Sequence, residues 1–328
     1  MSGPKNLALA GAAILSMGLG FSSAVNAQTI RIPHCCAADS HFDVAAERFA
    51  DLLAEKTNGE IQGEVFPSGQ LGQETEVIQN VQSGSIEATI IGHDPLAQFA
   101  EETTILSLPY LFDNHDQAFE QLDGELGERL GAILSERGLR VLAWGNNGAR
   151  VYTNDQHSLE SPQDFVGLKF RSPENPVNLA VTEALGGIAA AIPYGEVYTA
   201  LQQGTIDGQE NAVINIYPAN LQEVQSYMSM TNHLLSFVVL VMNENYFNSL
   251  SPEMQTAVQE AASEAMAEER ATAQTSADEM TALMQEAGVE VTEPDLAPFR
   301  EMTQSIHDEY VGSRIPQDLY DLAVGATN

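Results

Sequence analysis

Basic residues are scarce in this sequence. Its 328 residues include 13 lysines and arginines against 46 aspartates and glutamates, which gives a formal net charge of −33 at pH 7. Nucleic acids and anionic membranes are themselves negative and repel such a chain. The composition therefore argues against a nucleic-acid-binding protein and against a protein that binds an anionic membrane surface.

Long apolar runs are missing beyond the N-terminus. After residue 27, charged or amide side chains interrupt every apolar run within a few positions, so we expect no insertion into the membrane. Before that point, Lys5 precedes an apolar run at 7–21, and Ala27 ends a stretch of small residues typical of a cleavage site. The pattern predicts a secretory signal peptide over residues 1–27 and export to the periplasm, with a retained N-terminal anchor as the alternative.

Cysteine occurs only as the adjacent pair Cys35 and Cys36. Neither cysteine stands in the context of a lipoprotein cleavage site, so we expect no lipid anchor. Export permits disulfides, but neighbouring cysteines can pair only as a strained vicinal bridge. We therefore expect two free, partly buried thiols, and the vicinal bridge is the alternative.

Strand-like and helix-like segments alternate along the chain. Residues 29–91 show the order strand, helix, strand, helix, strand, and a second set begins near residue 139. Such alternation predicts an α/β protein whose mainly parallel sheet is covered by helices. In the second set, a turn at Asn146-Asn147-Gly148 separates predicted strands at 140–144 and 149–153.

One long helical pattern extends from Ser251 to Glu286. It contains no glycine, and its only proline, Pro252, occupies the first turn, where proline is tolerated. Ser251 is a good N-cap, and Gly288 follows the C-terminus. At 1.5 Å per residue the helix is about 50 Å long, which exceeds one small domain. We therefore expect this helix to contact two domains.

Common catalytic motifs are missing from the sequence. It contains no G-x-S-x-G nucleophile elbow, no P-loop, no dinucleotide fingerprint and no H-E-x-x-H zinc motif. His34, Cys35, Cys36, Asp39 and His41 are potential metal ligands, but structural zinc sites leave two to four residues between their cysteines. We predict no enzymatic activity, no cofactor and no metal. A periplasmic metal enzyme using His34, Cys35 and His41 is the less favoured alternative.

Two arginines lie in predicted strands, beside turns. Ligands of open α/β sheets gather at strand ends, and the guanidinium of Arg150 or Arg171 can hold a carboxylate through two parallel hydrogen bonds. Asn211 ends another strand-like segment, and its amide both donates and accepts. His93 and Asp94 follow a further strand, as an acid–base pair or as the polar rim of a pocket. Structural ion pairs and turn formation are the alternatives for the arginines and Asn211.

Six motifs together resemble the solute-receptor subunit of tripartite ATP-independent periplasmic (TRAP) transporters. The resemblance spans nearly the whole exported chain with the order and spacing of that family, and the fifth motif is far more specific than a lone glycine motif. The motifs are PSGQLG (67–72), LPYLF (108–112), NGARVYTN (147–154), GLKFRSPENP (167–176), PYGEVYTALQQGTIDGQEN (193–211) and MTNH (230–233).

The resemblance implies a fold and a partner. It implies a two-lobed α/β periplasmic binding protein fold with a hinge and a long helix that spans both lobes. Lobe 1 would comprise 28–147 and 237–276, and lobe 2 would comprise 148–236 and 277–328. The resemblance also implies a monomeric receptor that delivers a small carboxylate to the membrane permease subunits of a TRAP transporter. A receptor of the same fold that serves a signalling partner is the alternative.

The resemblance also assigns roles within the site. By it, Arg171 forms the main salt bridge to the ligand carboxylate, Arg150 assists, Asn211 contacts the ligand and Tyr194 lines the cleft. A C4-dicarboxylate, a sugar acid such as a uronate and other organic acids all fit. Acidic side chains near the site slightly favour a hydroxylated ligand, because carboxylates accept hydroxyl protons. The less specific candidates flank the same motifs and strands: Glu74, Asn147, His93, Asp94 and Glu174.

Overall fold

The computed structural model describes Gly3 and residues 27–325. The predicted signal peptide falls outside these residues except for Gly3 and Ala27. Within the described ranges, no helix combines the length and apolarity that a bilayer crossing requires.

Ten strands in the described part of the chain form two sheets. β1 and β2 make a parallel pair, and the other eight strands form one mixed sheet. The strands are β1 (Gln28–Pro33), β2 (Ile61–Phe66), β3 (Ala88–Gly92), β4 (Leu139–Asn154), β5 (Lys169–Ser172), β6 (Ile188–Ala191), β7 (Gly208–Ala212), β8 (Tyr227–Ser229), β9 (Leu235–Asn243) and β10 (Glu290–Thr292).

The prediction of a mainly parallel sheet is wrong. β4 is antiparallel to β7, β8 and β9, and β9 is antiparallel to β3. The predicted turn is also wrong, because β4 is a single 16-residue strand in which Asn146-Asn147-Gly148 forms an irregularity in the pairing with β9. Asn146 Oδ1 accepts a hydrogen bond from the Gly148 N–H at 2.8 Å, and Gly148 has a φ of 84°. These are local features that also occur in turns, which explains the error.

Eleven α-helices cover the sheets in the same ranges. They are α1 (His41–Lys56), α2 (Glu74–Ser83), α3 (His115–Leu122), α4 (Glu125–Glu136), α5 (Pro176–Ala184), α6 (Val197–Gln202), α7 (Val213–Ile216), α8 (Glu244–Ser249), α9 (Pro252–Glu286), α10 (Ala297–Tyr310) and α11 (Gln317–Gly325).

The long helix is α9, and it begins and ends where the sequence predicts. The Ser251 side chain accepts a hydrogen bond from the Met254 N–H at 3.3 Å, and Gly288 follows the last turn with a φ of 96°. Because alanines occupy much of its buried face, α9 packs closely against α1 and β4, and it extends to α7 and β10. The prediction of one long helix that contacts two parts of the fold is confirmed.

Candidate functional site

A small cavity lies where β3, β5 and β7 end. Its volume is about 30 Å³. The segment at 35–36, the start of α2 and the end of β3 form its first wall. β5, Tyr194 and the β7–α7 junction form its second wall. The lining residues are Cys35, Cys36, Phe42, Glu74, Gly92, Asp94, Asn147, Arg150, Arg171, Pro173, Tyr194, Asn211 and Asn215.

Most of the predicted site residues meet at this cavity, although they come from widely separated parts of the chain. The two outside its lining are His93 and Glu174. The seven that line it are Arg171, Arg150, Asn211, Tyr194, Glu74, Asn147 and Asp94. Their roles in binding stay predictions.

Arg150 is held by acids of the protein itself. Its Nε and Nη2 donate to the two carboxylate oxygens of Glu210, the latter at 3.0 Å, and its Nη1 lies 3.5 Å from Asp94 Oδ2. Burial opposes the charge of Arg150, but these carboxylates outweigh that effect and raise its pKa. Burial would also raise the pKa of Glu210, but Arg150 and His233 hold it at about 2. The Arg150 charge is therefore already compensated.

Arg171 is different, because no acidic side chain among the described residues pairs with it. It is 2% exposed, and its Nε donates to the Ile192 carbonyl at 2.8 Å. Within residues 27–325 no carboxylate oxygen lies within 4.0 Å of its guanidinium nitrogens. Burial and the nearby Arg150 charge lower its pKa. Neighbouring side chains of a strand point to opposite faces of the sheet. Phe170 points into the core, so Arg171 points to the other face, where it lines the cavity.

Glu74 places a carboxylate on the opposite wall. It is the first residue of α2, and its Oε1 accepts a hydrogen bond from the Gly92 N–H at 2.9 Å. Burial raises its pKa, while the Gly92 N–H and the Arg171 charge partly oppose that rise. The cavity thus carries the Arg171 cation on one wall and the Glu74 carboxyl on the other.

Two predicted residues lie behind or beside the cavity. His93 is fully buried, and its Nδ1 accepts from the Phe237 N–H at 3.2 Å, which places the ring proton on Nε2, 3.1 Å from Ser107 Oγ. Burial lowers the pKa of His93, so the ring is neutral at pH 7. Glu174 lies at the rim, where its Oε2 accepts a hydrogen bond from Thr75 Oγ at 2.7 Å.

The rim contacts join the two walls. Besides the Thr75–Glu174 bond, Gln73 Oε1 accepts from the Gly195 N–H at 3.2 Å, and Asn175 Nδ2 donates to the Asp94 carbonyl at 3.1 Å. Each bond connects residues more than 80 positions apart in sequence. Individual hydrogen bonds between polar groups therefore join the two walls at the rim.

Sequence reasoning missed important neighbours of the predicted residues. Glu210 precedes Asn211 in the most specific motif, and Asn215 lies one helical turn beyond it. Asn215 Nδ2 donates to Asn147 Oδ1 at 2.8 Å and to Asn211 Oδ1 at 3.2 Å. His233, the last residue of the MTNH motif, lies 3.3 Å from Glu210. The signal for Glu210 is its position on a buried strand, directly next to the predicted contact Asn211.

The potential metal ligands at 34–41 do not converge. His34 Nε2 contacts Asp43 Oδ1 at 3.0 Å, whereas His41 Nδ1 contacts Glu269 Oε1 at 2.9 Å. In the described part of the chain, no three His, Cys, Asp or Glu side chains are placed to share an ion. Cys35 and Cys36 are free and buried, as the sequence predicts. The alternative of a metal enzyme gains no support from this geometry.

Comparisons with known proteins bear on the predicted family and fold. The family of bacterial extracellular solute-binding proteins, family 7, matches residues 33–313. The 2,3-diketo-L-gulonate-binding periplasmic protein of Escherichia coli (strain K12) is 34% identical over 298 residues, which cover 90% of each chain.

Solved structures show the same similarity. The TRAP periplasmic solute-binding protein of Sulfitobacter sp. NAS-14.1, with bound β-D-galacturonate, has a TM-score of 0.88 at 30% identity and covers 91% of this chain and 100% of its own. The corresponding protein of Sulfurospirillum deleyianum DSM 6946, with bound succinate, has a TM-score of 0.85 at 26% identity, over 90% and 98% of the two chains.

These matches confirm the predicted family and the α/β periplasmic binding protein fold, while the lobe boundaries stay a prediction. The family consists of receptors and not of enzymes, which agrees with the prediction of no enzymatic activity. From the motifs, the fold and the comparisons together, this chain belongs to the family 7 extracellular solute-binding proteins, the receptor subunits of TRAP transporters.

Proposed function

We propose that this protein captures a hydroxylated monocarboxylate of the sugar-acid class in the periplasm and delivers it to the membrane permease subunits of a TRAP transporter. The observation that carries the proposal is Arg171, a buried guanidinium that lines the cavity and has no carboxylate of residues 27–325 within 4.0 Å. A buried charge is costly unless it is paired. A ligand carboxylate supplies the missing partner, and the planar guanidinium binds it through two parallel hydrogen bonds.

The charges around the cavity favour a ligand with one carboxylate. Glu210 and Asp94 already compensate Arg150, so Arg171 is the cation available to a ligand. A second carboxylate in so small a cavity would lie near Glu74 or Asp94 and be repelled by them. Hydroxyl groups fit that position better, because carboxylates accept hydroxyl protons.

Amide side chains complete a polyhydroxy site. Asn147, Asn211 and Asn215 form a hydrogen-bonded group on the cavity lining, with distances of 2.8 and 3.2 Å between the amides. Each amide offers both donors and acceptors, so the group matches several hydroxyls as well as a carboxylate oxygen. Tyr194 and Phe42 add the apolar surface on which a sugar ring can pack.

Binding requires the walls to separate. The lining residues are buried, with Arg171 only 2% exposed, so a solute cannot reach them while the rim contacts hold. We infer that the two predicted lobes open at a hinge and break the rim contacts, among them Thr75 to Glu174. Closure around the solute then removes water, and the lower local dielectric strengthens the pair between Arg171 and the carboxylate.

Relatives support the sugar-acid class. The Sulfitobacter protein holds β-D-galacturonate, and the Escherichia coli relative is a 2,3-diketo-L-gulonate-binding protein. The Sulfurospirillum protein, with bound succinate, is a less similar structure at 26% identity. In our proposal, the carboxyl groups of Glu74 and Asp94 favour sugar acids over dicarboxylates such as succinate.

Isothermal titration calorimetry with galacturonate, glucuronate, galactonate and succinate tests the proposal. A thermal-shift screen selects the concentrations first, because a ligand that binds only the folded state raises Tm by mass action. We expect at least one sugar acid to bind more tightly than succinate. In Glu74→Gln, which keeps the shape and removes the charge, we expect the preference over succinate to shrink. Succinate binding more tightly than every sugar acid would overturn the choice of class.

A further inference from the structure

The two cysteines of the chain lie in the wall of the solute cavity. Cys35 is 9% exposed and Cys36 is 4% exposed, and their Sγ atoms are 3.7 Å apart. Both are free thiols. Two adjacent thiols within contact distance in a binding cavity form a redox-active group if an oxidant reaches them.

The backbone holds this pair in place. The Cys36 carbonyl accepts a hydrogen bond from the Ser68 N–H at 2.7 Å, and the His34 carbonyl accepts from the Gly69 N–H at 3.0 Å. The segment is thus fixed on both sides of the Cys35–Cys36 peptide to the turn that follows β2. The two sulfur atoms are therefore kept close together.

We propose that Cys35 and Cys36 are an oxidative modification site, at which formation of a Cys35–Cys36 disulfide weakens solute binding. The oxidant is a disulfide of the extracytoplasmic compartment, where structural disulfides form and persist. One cysteine thiolate attacks the external disulfide and releases one thiol. The second cysteine then attacks the mixed disulfide and releases the other. Overall, the protein dithiol and R–S–S–R give the protein disulfide and two R–SH, so atoms and electrons balance.

The disulfide must reshape the cavity. A disulfide bond is about 2.05 Å long, so the sulfur atoms have to approach from their present 3.7 Å. The resulting ring contains the peptide between the two cysteines, and its closure works against the hydrogen bond that Ser68 donates to the Cys36 carbonyl. Oxidation also replaces two S–H groups by an aprotic group beside Glu74. Because strained disulfides are more easily reduced, the change is reversible.

Solute binding protects the thiols. The contact with Cys36 and burial raise the pKa of Cys35, so the thiolate that reacts is poorly populated in the closed cavity. In the open form water reaches the wall, and attack on a disulfide becomes faster. A solute that keeps the walls closed therefore slows oxidation. The effect on affinity rests on the proposed function, whereas the oxidation itself does not.

The experiment uses the full exported chain, reduced with dithiothreitol, and glutathione disulfide as the oxidant. Intact-protein mass spectrometry should show the loss of two hydrogen atoms, and saturating galacturonate should slow that loss. The Kd for galacturonate should rise by about tenfold or more on oxidation, equivalent to at least about 1.4 kcal/mol. Dithiothreitol should restore it.

Cys35→Ser and Cys36→Ser are the matched controls. Neither variant can form the Cys35–Cys36 disulfide. Each is treated with glutathione disulfide, and bound glutathione is then removed. The Kd of each variant, whatever its value, should be the same before and after this treatment. A wild-type protein whose two thiols stay reduced under this treatment would overturn the proposal, as would an oxidised protein with an unchanged Kd. If galacturonate does not bind the reduced protein, the proposed function fails, while the mass measurement still decides whether the disulfide forms.

Discussion

Replacing Arg171 with methionine tests the central interaction of the site. Methionine keeps an unbranched side chain and removes the charge and all five N–H donors. In the structure one donor, Nε, is used by the Ile192 carbonyl, so the remaining four are available to the cavity. Loss of one partner of a buried, hydrogen-bonded charge pair costs about 3–5 kcal/mol. The Kd for the sugar acid that binds best should therefore rise roughly 150- to 5000-fold.

The stability of the ligand-free protein should respond in the opposite sense. Burial and the Arg150 charge lower the pKa of Arg171, which shows that its charge is unfavourable in the closed, ligand-free site. Arg171→Met removes that unfavourable term and loses one hydrogen bond, worth about 0.5–1.5 kcal/mol. We expect the free energy of unfolding of the variant to be equal to that of the wild type or up to about 1 kcal/mol higher. Residues that serve function often lower stability in this way.

Calorimetry and urea denaturation measure the two effects separately. Arg129→Met is the matched control, because Arg129 is 43% exposed and pairs with Asp318 at 2.7 Å on the outer surface. The control should leave the Kd unchanged. Arg171→Lys, which keeps the charge and loses the planar fork, should bind with intermediate affinity. A folded Arg171→Met protein whose Kd stays within a few-fold of the wild type would refute the reasoning.

Four further substitutions test the charge balance and the packing. Glu210→Gln removes the carboxylate that pairs with Arg150 and should lower the free energy of unfolding by about 3–5 kcal/mol in urea denaturation; a loss below about 1 kcal/mol would contradict the pairing. Burial lowers the pKa of His115 from 6.5 to about 4, so the folded protein binds fewer protons than the unfolded chain between these pH values. Stability should therefore fall by up to about 3 kcal/mol as the pH drops through that window. His115→Phe should flatten this part of the pH–stability curve, and an unchanged slope would show that another group titrates there. Gly63→Ala places a methyl 2.4 Å from a methyl of α1 and should cost about 1–3 kcal/mol. Gly131→Ala, with nothing within 4 Å, should instead stabilise α4 by about 0.5–1 kcal/mol, and equal Tm values for the two variants would contradict this packing.

Local chemistry determined several features of this protein without tertiary information. The limits of α9 follow from the Ser251 cap, the position of Pro252 and the glycine beyond its end, because capping and helix propensity act within one turn. Free thiols at Cys35 and Cys36 follow from the strain of a vicinal bridge. The motifs were enough to select the family, and together with positions at strand ends they indicated seven residues that line one cavity.

Long-range pairing decided what the sequence could not. Asn146-Asn147-Gly148 makes the same local hydrogen bond in a turn and in a bulged strand, and only the pairing of β4 with β9 selects the strand. Register therefore requires the partner strand, which lies about 90 positions away in the chain.

The two arginines illustrate the same limit in the site. By residue type and position at a strand end, Arg150 and Arg171 look equivalent, and in the sequence only the family resemblance ranks Arg171 first. Only the fold brings Glu210 and Asp94 against Arg150 and leaves Arg171 without an acid. The sequence by itself determined which residue types reach the cavity, whereas tertiary structure decided which charge was already compensated, because Coulomb energy depends on distance and burial and not on position along the chain.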